Sequence, residues 1–237
     1  MPFTQAGTKV LGAPVGTDAF CVGFATEKNA DIASDIDVIG RMQSLQAQHC
    51  LLAGAVQHRI NHMLRNVPGA ELLYNDSQVT YDSKLLSVPL RIARRTAFPE
   101  IQRALCGLSL SRGGLGYRTW KSTADCAHLA SYIHASIHIP AMFPALACCF
   151  PPILTLVPRV GPVPAPLSQR ADLAVRAFVR LSASAPLLRE RIENAKGPLR
   201  HTQHVLASAF DEAEPSALLN SSRAPTTQDF HGIWNCS

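Results

Sequence analysis

The sequence predicts a mainly α-helical protein that starts with a short β-hairpin and ends with a Pro-rich linker and a small helical tail. Over the first 140 residues, apolar side chains recur at intervals of three, four or seven, which is typical of packed helices. A β-prone segment containing Gly and Pro precedes them. Twelve of the 17 Pro residues lie at position 140 or later, which indicates an extended connection there.

The composition is that of a folded chain and gives no sign of secretion. With 237 residues, 47% of them hydrophobic, the chain is long enough to bury a core, and full disorder is excluded. The Cys count of seven is odd, and no Cys-x-x-Cys pair occurs, which favours reduced thiols over a disulfide framework. Residues 1–7 lack a basic segment followed by an apolar one. We therefore expect an intracellular protein, cytoplasmic or nuclear.

The N-terminal region, residues 1–28, is predicted to be a β segment. Its residues 8–24 read TKVLGAPVGTDAFCVGF, with apolar and β-prone residues on both sides of a turn that contains Gly and Pro. A short strand, a tight turn and a second strand are expected.

A helical domain is predicted to follow, beginning with a helix from Asp31 to Arg65. Asp35 and Asp37 lie near its expected start, where carboxylates suit the positive end of the helix dipole. Gly40 and Gly54 interrupt the apolar pattern, so two helices are an alternative. A Pro-Gly pair then ends the helix.

This helical domain is expected to continue through further helices, so that it spans residues 29–140. A helical stretch over 77–108 is punctuated by two Pro residues. Residues 111–116, SRGGLG, require a tight turn because three Gly in four positions resist regular structure. Another helix is predicted over 123–139.

After residue 140 the character of the sequence changes. Residues 141–168 are predicted to form a Pro-rich linker. No charged residue occurs from Cys126 to Pro158, but the Pro residues of this stretch argue against a membrane-spanning helix, so no membrane partner is expected. The tail, residues 169–237, is predicted to hold helices over 169–181 and 187–210 and a loose C-terminus, with no role that the sequence reveals.

Positive charge is concentrated in one short stretch. Residues 1–83 carry a net charge of −3, residues 84–121 a net charge of +7, and residues 122–237 a net charge of +1. Six of the eight cations in the middle stretch are Arg, whose planar guanidinium binds phosphate well. Polyanion binding is the functional interpretation, and a solvated helix face is the alternative.

Searches for catalytic and metal-binding motifs give no candidate. The P-loop, Gly-x-Ser-x-Gly and His-Glu-x-x-His patterns are absent. His58 and His62 are one helical turn apart, but no third ligand is evident, so polar helix positions are the simpler interpretation. No pair of carboxylates suits two-metal chemistry. The sequence therefore predicts no catalytic residue, no metal and no cofactor.

Several segments nevertheless resemble one protein family in the order that the family has them. Residues 8–20, TKVLGAPVGTDAF, resemble the strand pair with a Leu-Gly core that follows the catalytic palm in reverse transcriptases of non-LTR retrotransposons. Residues 44–68 are similar to the family's next helix. The matching positions are Gln46-Ala47, Leu51-Leu52, Arg59 and Leu64-Arg65 ahead of Pro68.

The resemblance continues to about residue 140. Asp82 matches an acidic residue in the following helix. Residues 108–118, LSLSRGGLGYR, are similar to a Leu-Pro-x-x-x-Gly-Gly-Leu-Gly-Leu-Arg turn, with Ser109 in place of Pro and Tyr117 in place of Leu. Residues 124–131, ADCAHLAS, resemble the Ala-rich helix after that turn.

The resemblance implies a region that lies downstream of the polymerase site. The family's palm carries an aromatic-x-Asp-Asp motif, and this sequence contains no Asp-Asp at all. Without those carboxylates, two metal ions have no ligands and phosphoryl transfer is not expected. The implied structure is a primer-grip-like hairpin followed by a thumb-like helical bundle, which holds a template–primer duplex without copying it.

The implied partner is the backbone of RNA, or of an RNA–DNA or DNA duplex, bound mainly through phosphate contacts. Tyr117 and Trp120 are expected in the core, with base stacking as the alternative.

A second hypothesis is a helical interaction or structural protein, or a non-functional retroelement remnant, without nucleic-acid binding. The PVPAP segment at 162–166 would then be a docking ligand. The predicted backbone-binding residues are Arg59, Arg65, Lys84, Arg91, Arg94, Arg95, Arg103, Arg112, Arg118 and Lys121, and the predicted motif and turn residues are Leu11, Gly12, Gly113, Gly114 and Gly116.

Overall fold

The computed structural model describes residues 7–67, 76–94, 96–97, 99–110, 113–157, 169–185, 187–194 and 206–209. It is mainly helical and starts with a two-stranded antiparallel hairpin, which confirms the predicted fold class. The strands are β1 (Gly7–Val10) and β2 (Ala13–Gly16). The helices are α1 (Asp18–Ile39), α2 (Leu45–Cys50), a π-helical segment (Leu51–Val56), α3 (Gln57–Asn66), α4 (Asp76–Ile92), α5 (Glu100–Gly107), α6 (Trp120–Met142), a 3-10 helix (Pro144–Cys149), α7 (Ile153–Leu156), α8 (Gln169–Ser184) and α9 (Leu188–Asn194).

A two-residue turn closes the hairpin. Val10 pairs with Ala13, and Leu11 and Gly12 form the tip between them. Both tip residues have positive φ angles, 50° and 81°, as the tight turns of twisted hairpins require. Gly adopts this conformation without strain, whereas Leu11 holds it at a cost of about 1 kcal/mol or more and is 96% exposed.

Helix α1 begins earlier than the sequence predicted. The predicted β segment over 1–28 therefore ends at Gly16 among the described residues, because the Thr17 hydroxyl accepts a hydrogen bond from the Phe20 amide and starts the helix. As a result, Asp35 and Asp37 lie near the C-terminal end of α1. The interpretation that they suit the helix start is wrong, and they meet the negative end of the dipole instead.

Helices α2 and α3 form one continuous helical unit across Gly54. At Gly54, where a break is the alternative to a continuous helix, the chain forms the π-helical segment, which widens the helix without ending it. The Ser44 hydroxyl caps the start of the unit by accepting from the Ala47 amide. The unit ends at Asn66, one residue further than predicted.

The predicted helical stretch over 77–108 is two helices. Helix α4 continues past Pro89 and ends at Ile92, and α5 starts after a short connection. Arg94 follows α4 with a φ of 51°, so its backbone is left-handed. The spacing of Arg91, Arg94 and Arg95 predicts that at least two of them share a helix face. Arg94 lies beyond the end of α4 and so does not share a face with Arg91, and Arg95 lies outside the described residues.

The buried side chains form two clusters that both include residues of α6. The first core consists of Ala25, Ile32, Ile36, Leu52, Val56, Ile60, Met63, Leu64, Val67, Tyr81, Leu85, Val88, Tyr117, Trp120, Ala124 and Ala127. The second core consists of Cys126, Leu129, Ala130, Tyr132, Ile133, Ile153, Leu156, Ala171, Ala174, Val175, Ala177, Phe178, Leu181, Ala185, Leu188, Leu206 and Ala209. Helix α6 thus packs on α3 and α4 with one part and on α7 and α8 with the other.

The start of the predicted Pro-rich linker is folded. Within residues 141–168, the described part, up to 157, forms the end of α6, the 3-10 helix and α7. Ile153 and Leu156 are buried in the second core, and the Tyr132 hydroxyl donates to the Pro151 carbonyl at 2.9 Å. The prediction of an extended linker is wrong for this part, because its apolar side chains have a helical surface to pack on. Residues 158–168, including the PVPAP segment, lie outside the described residues.

Candidate nucleic-acid interface

Two of the predicted backbone-binding cations are neutralised by carboxylates of α1. Arg59 on α3 forms an ion pair with Asp35, and Lys84 on α4 forms one with Asp37. The two cations approach α1 from different helices, and both pairs are partly exposed to solvent. Their first role is therefore to balance the carboxylates near the negative end of α1.

Arg91 and Arg94 lie where α4 ends. The Arg91 guanidinium occupies the position that a Cβ on residue 40 would take, so a side chain at position 40 would displace the end of this flexible arginine. The Arg94 amide donates to the Arg91 carbonyl at 3.1 Å. Both side chains are exposed, and neither has a carboxylate partner among the described residues. Arg41, which sequence reasoning missed, is also exposed and directly follows Gly40.

The remaining predicted cations are spread over several elements. Arg103 on α5 is exposed and has no ion pair within the described part of the chain, and Arg65 is exposed near the end of α3. Arg118 uses its carbonyl to accept from the Gln57 side chain at 3.2 Å, which ties the turn to α3. Lys121 lies in the first turn of α6. The predicted residues Arg95 and Arg112 lie outside the described residues.

The Gly turn before α6 folds back on its own chain. The amides of Gly113, Gly114 and Gly116 donate to the carbonyls of Leu110, Ser109 and Leu108, respectively. A Cβ on Gly114 would overlap the Leu108 backbone, so this position requires Gly. Each of these N–H groups therefore already has an internal acceptor and is not available for phosphate. The turn serves the fold.

Tyr117 and Trp120 belong to the first core, as expected, and the stacking alternative is excluded by their burial. The Tyr117 hydroxyl hydrogen-bonds His49 Nδ1 at 3.0 Å, and burial raises its pKa to about 12. The Trp120 ring packs edge-on against Tyr81 with centroids 6.1 Å apart. Asp82 accepts from the Trp120 amide at 2.7 Å and so caps the start of α6 from a distant helix.

A cleft of about 340 Å³ separates the hairpin tip from α1 and α3. It brings Gly12 and Arg59, both predicted, together with three residues that sequence reasoning did not assign to the site, namely Lys28, His58 and His62. Lys28 donates to Asp31 at 2.7 Å, and this hydrogen bond and charge lower the pKa of Asp31. The His58–His62 spacing is the sequence signal for this cleft. No feature of the sequence shows that the hairpin packs beside these two histidines.

Within the described residues, no group of three or more His, Cys, Asp or Glu side chains is placed to hold a metal ion. The described helices include none with the length and apolar character that crossing a membrane requires. What the described surface offers is hydrogen-bond donors and positive charge, which suit phosphate.

Comparisons of the chain with protein-family models, with curated proteins and with solved structures found no significant match.

Proposed function

We propose that this chain binds the sugar–phosphate backbone of a nucleic-acid duplex and has no polymerase activity of its own. It would act inside the cell, in the cytoplasm or nucleus, on RNA or on an RNA–DNA or DNA duplex. The proposal combines two supports: the ordered resemblance to the region downstream of the palm in non-LTR reverse transcriptases, and the arrangement of the arginines.

The observation that carries the proposal is the difference between paired and unpaired cations. Arg59 and Lys84 are balanced by Asp35 and Asp37, whereas the exposed Arg91, Arg94 and Arg103 have no carboxylate partner among the described residues. Exposed guanidinium groups without a carboxylate are available for phosphate. We therefore place the interface at the end of α4 and on α5, a narrower set than the sequence predicted.

Binding is tested by fluorescence anisotropy with a labelled RNA–DNA duplex at low salt. The triple variant Arg91→Ala, Arg94→Ala and Arg103→Ala is expected to weaken binding by about two orders of magnitude, at about 1 kcal/mol for each lost contact. The matched control is Arg176→Ala, Arg180→Ala and Arg191→Ala, which removes the same charge from α8 and α9. An equal loss of affinity in both variants would contradict the proposed location.

The absence of polymerase activity is tested separately. Wild-type protein incubated with Mg²⁺, a template–primer duplex and deoxynucleotides is expected to incorporate nothing, because the sequence lacks the palm carboxylates. Sustained primer extension by this chain alone would refute that part of the proposal.

A second candidate function, a helical interaction protein, is favoured by one exposed apolar surface. Met142, Phe143 and Leu146, at the end of α6 and on the 3-10 helix, are 64%, 57% and 44% exposed. Large exposed apolar groups of this kind mark contact surfaces. Self-association in sedimentation velocity that Phe143→Asp abolishes, together with no duplex binding at low salt, would favour this candidate.

A further inference from the structure

The cleft between the hairpin and helices α1 and α3 has an apolar floor. Phe24 and Ile32 of α1 and Met63 of α3 line it, and Pro14 of β2 closes the side toward the hairpin. All four residues are buried or nearly so. Lys9 lies over the Phe24 ring, with Nζ 5.0 Å from the centroid, so this ring already packs against a cation. Such a floor suits a flat, weakly polar group.

The rim of the cleft carries hydrogen-bond donors in excess of its carboxylates. Lys28 gives one of its three donors to Asp31, and Arg59 pairs with Asp35 through one terminal nitrogen of a guanidinium that has five N–H groups. His58 and His62 add two exposed imidazoles one helical turn apart. The cleft thus combines an apolar floor with several hydrogen-bond donors. Asp31 and Asp35 balance the charge of Lys28 and Arg59, and the donors that these ion pairs leave unused suit a phosphate group.

We propose that this cleft binds a single nucleoside monophosphate, with the base on the apolar floor and the phosphate on the rim formed by Lys28, His58, Arg59 and His62. The volume of about 340 Å³ is at the low end for small-molecule sites and fits one nucleotide rather than two. The choice of a nucleotide among anionic ligands rests on the proposed function. A free mononucleotide and the phosphorylated end of a nucleic-acid strand both present a base and a terminal phosphate to such a site.

The hairpin tip forms one wall of this site. His62 Nε2 lies 3.6 Å from the position of a Cβ on Gly12, so the tip and α3 meet closely at the edge of the cleft. Gly12 has a φ of 81°, so a side chain there would strain the backbone.

The test is isothermal titration of the whole chain with adenosine monophosphate, with adenosine and inorganic phosphate as separate arms. Saturable binding of the monophosphate, tighter than about 1 mM and tighter than either part alone, is expected. The double variant Arg59→Gln and His62→Ala should weaken monophosphate binding at least about tenfold, because it removes two donors to the phosphate. Both side chains are exposed, so the variant should retain the fold. The single variant Arg176→Gln on α8 is the matched control and should bind as wild type does. No saturable binding, or no loss in the double variant, would overturn the proposal.

Competition identifies the source of the nucleotide. Displacement of the bound monophosphate by a 5′-phosphorylated oligonucleotide, but not by its 5′-hydroxyl form, assigns the site to strand ends, and displacement by neither assigns it to free nucleotides. Displacement by both forms would contradict a phosphate-dependent site. Duplex binding is measured in parallel with the arginine triple variant. If the chain binds the monophosphate but not the duplex, the proposed function is refuted and the cleft assignment stands. If the chain binds the duplex but not the monophosphate, only the cleft assignment is refuted.

Discussion

The two regions of the molecule handle charge differently. In the first region, built around the first core, the ion pairs Arg59–Asp35 and Lys84–Asp37 join separate helices, Lys28 and Asp31 pair within α1, and three exposed arginines have no carboxylate partner among the described residues. In the second region, built around the second core, Arg176 and Arg189 pair with carboxylates one turn away on the same helix. Among the described residues of this region, the ion pair of Arg180 with Asp125 on α6 links two helices. The surplus of positive charge therefore lies in the first region, which is where a polyanion is expected to bind.

The largest expected effect is the loss of stability when a large buried ring is removed from either core. Trp120→Ala removes a fully buried ring and its edge-on contact with Tyr81, and should lower the free energy of unfolding by about 3–5 kcal/mol. Phe178→Ala in the second core is the matched truncation and should cost somewhat less, because the ring is smaller. Urea unfolding followed by circular dichroism measures both. A loss below about 1 kcal/mol for Trp120→Ala would mean that α6 does not organise the first core.

A smaller effect is expected at the cap that joins α4 to α6. Asp82→Ala removes the acceptor of the Trp120 amide and should destabilise the protein by about 1–2 kcal/mol. Asp82→Asn keeps an acceptor oxygen and should recover most of the loss. Equal unfolding free energies for the two variants, measured in urea, would show that the contact contributes little.

The charge difference between the regions can be sharpened by removing carboxylates. Asp35→Asn with Asp37→Asn releases Arg59 and Lys84 and should strengthen duplex binding about threefold to tenfold, with little change in stability because both pairs are exposed. Asp172→Asn with Glu193→Gln changes the net charge equally in the second region and should strengthen binding less. The same affinity gain in both variants would indicate a net-charge effect without a located interface.

The smallest expected effect is at alkaline pH, and both regions contribute to it. Burial raises the pKa of Tyr117 in the first core and of Tyr132 in the second core to about 12. In the unfolded chain a tyrosine ionises near pH 10. Stability from these groups is therefore intact below pH 10 and is lost as the pH rises toward 12. Tyr117→Phe and Tyr132→Phe should each reduce the drop in urea midpoint between pH 9 and 11, and an unchanged drop in both would contradict this account.

The sequence predicted those elements whose signals are local. The hairpin follows from the Gly and Pro turn residues, and the ends of α1 and α3 follow from Gly40 and the Pro-Gly pair. The sequence places the start of α1 too late, because the β-prone composition of residues 8–24 outweighs the signal of the Thr17 cap. The folded part of the Pro-rich linker was missed because its helices depend on burying Ile153 and Leu156 against α6 and α8.

The candidate site could be predicted only in part, because ion pairing is a property of the packed structure. The sequence predicts Arg91, Arg94, Arg103, Arg59 and Lys84 as phosphate-binding residues, and no local signal shows which of them are paired with carboxylates. The pairing of Arg59 with Asp35 and of Lys84 with Asp37 exists only when α3 and α4 pack against α1. The cleft was not visible for the same reason, since its walls are the hairpin, α1 and α3.

The salt dependence of duplex binding tests the central claim most directly. If three arginines of the first region contact phosphates, the slope of log Kobs against log salt should be about −3, and it should fall close to zero in the Arg91, Arg94 and Arg103 triple variant. Anisotropy titrations of one duplex over a range of potassium chloride concentrations give this slope. An affinity for the duplex that is equal at low and high salt, or a slope that the triple variant leaves unchanged, would contradict the account.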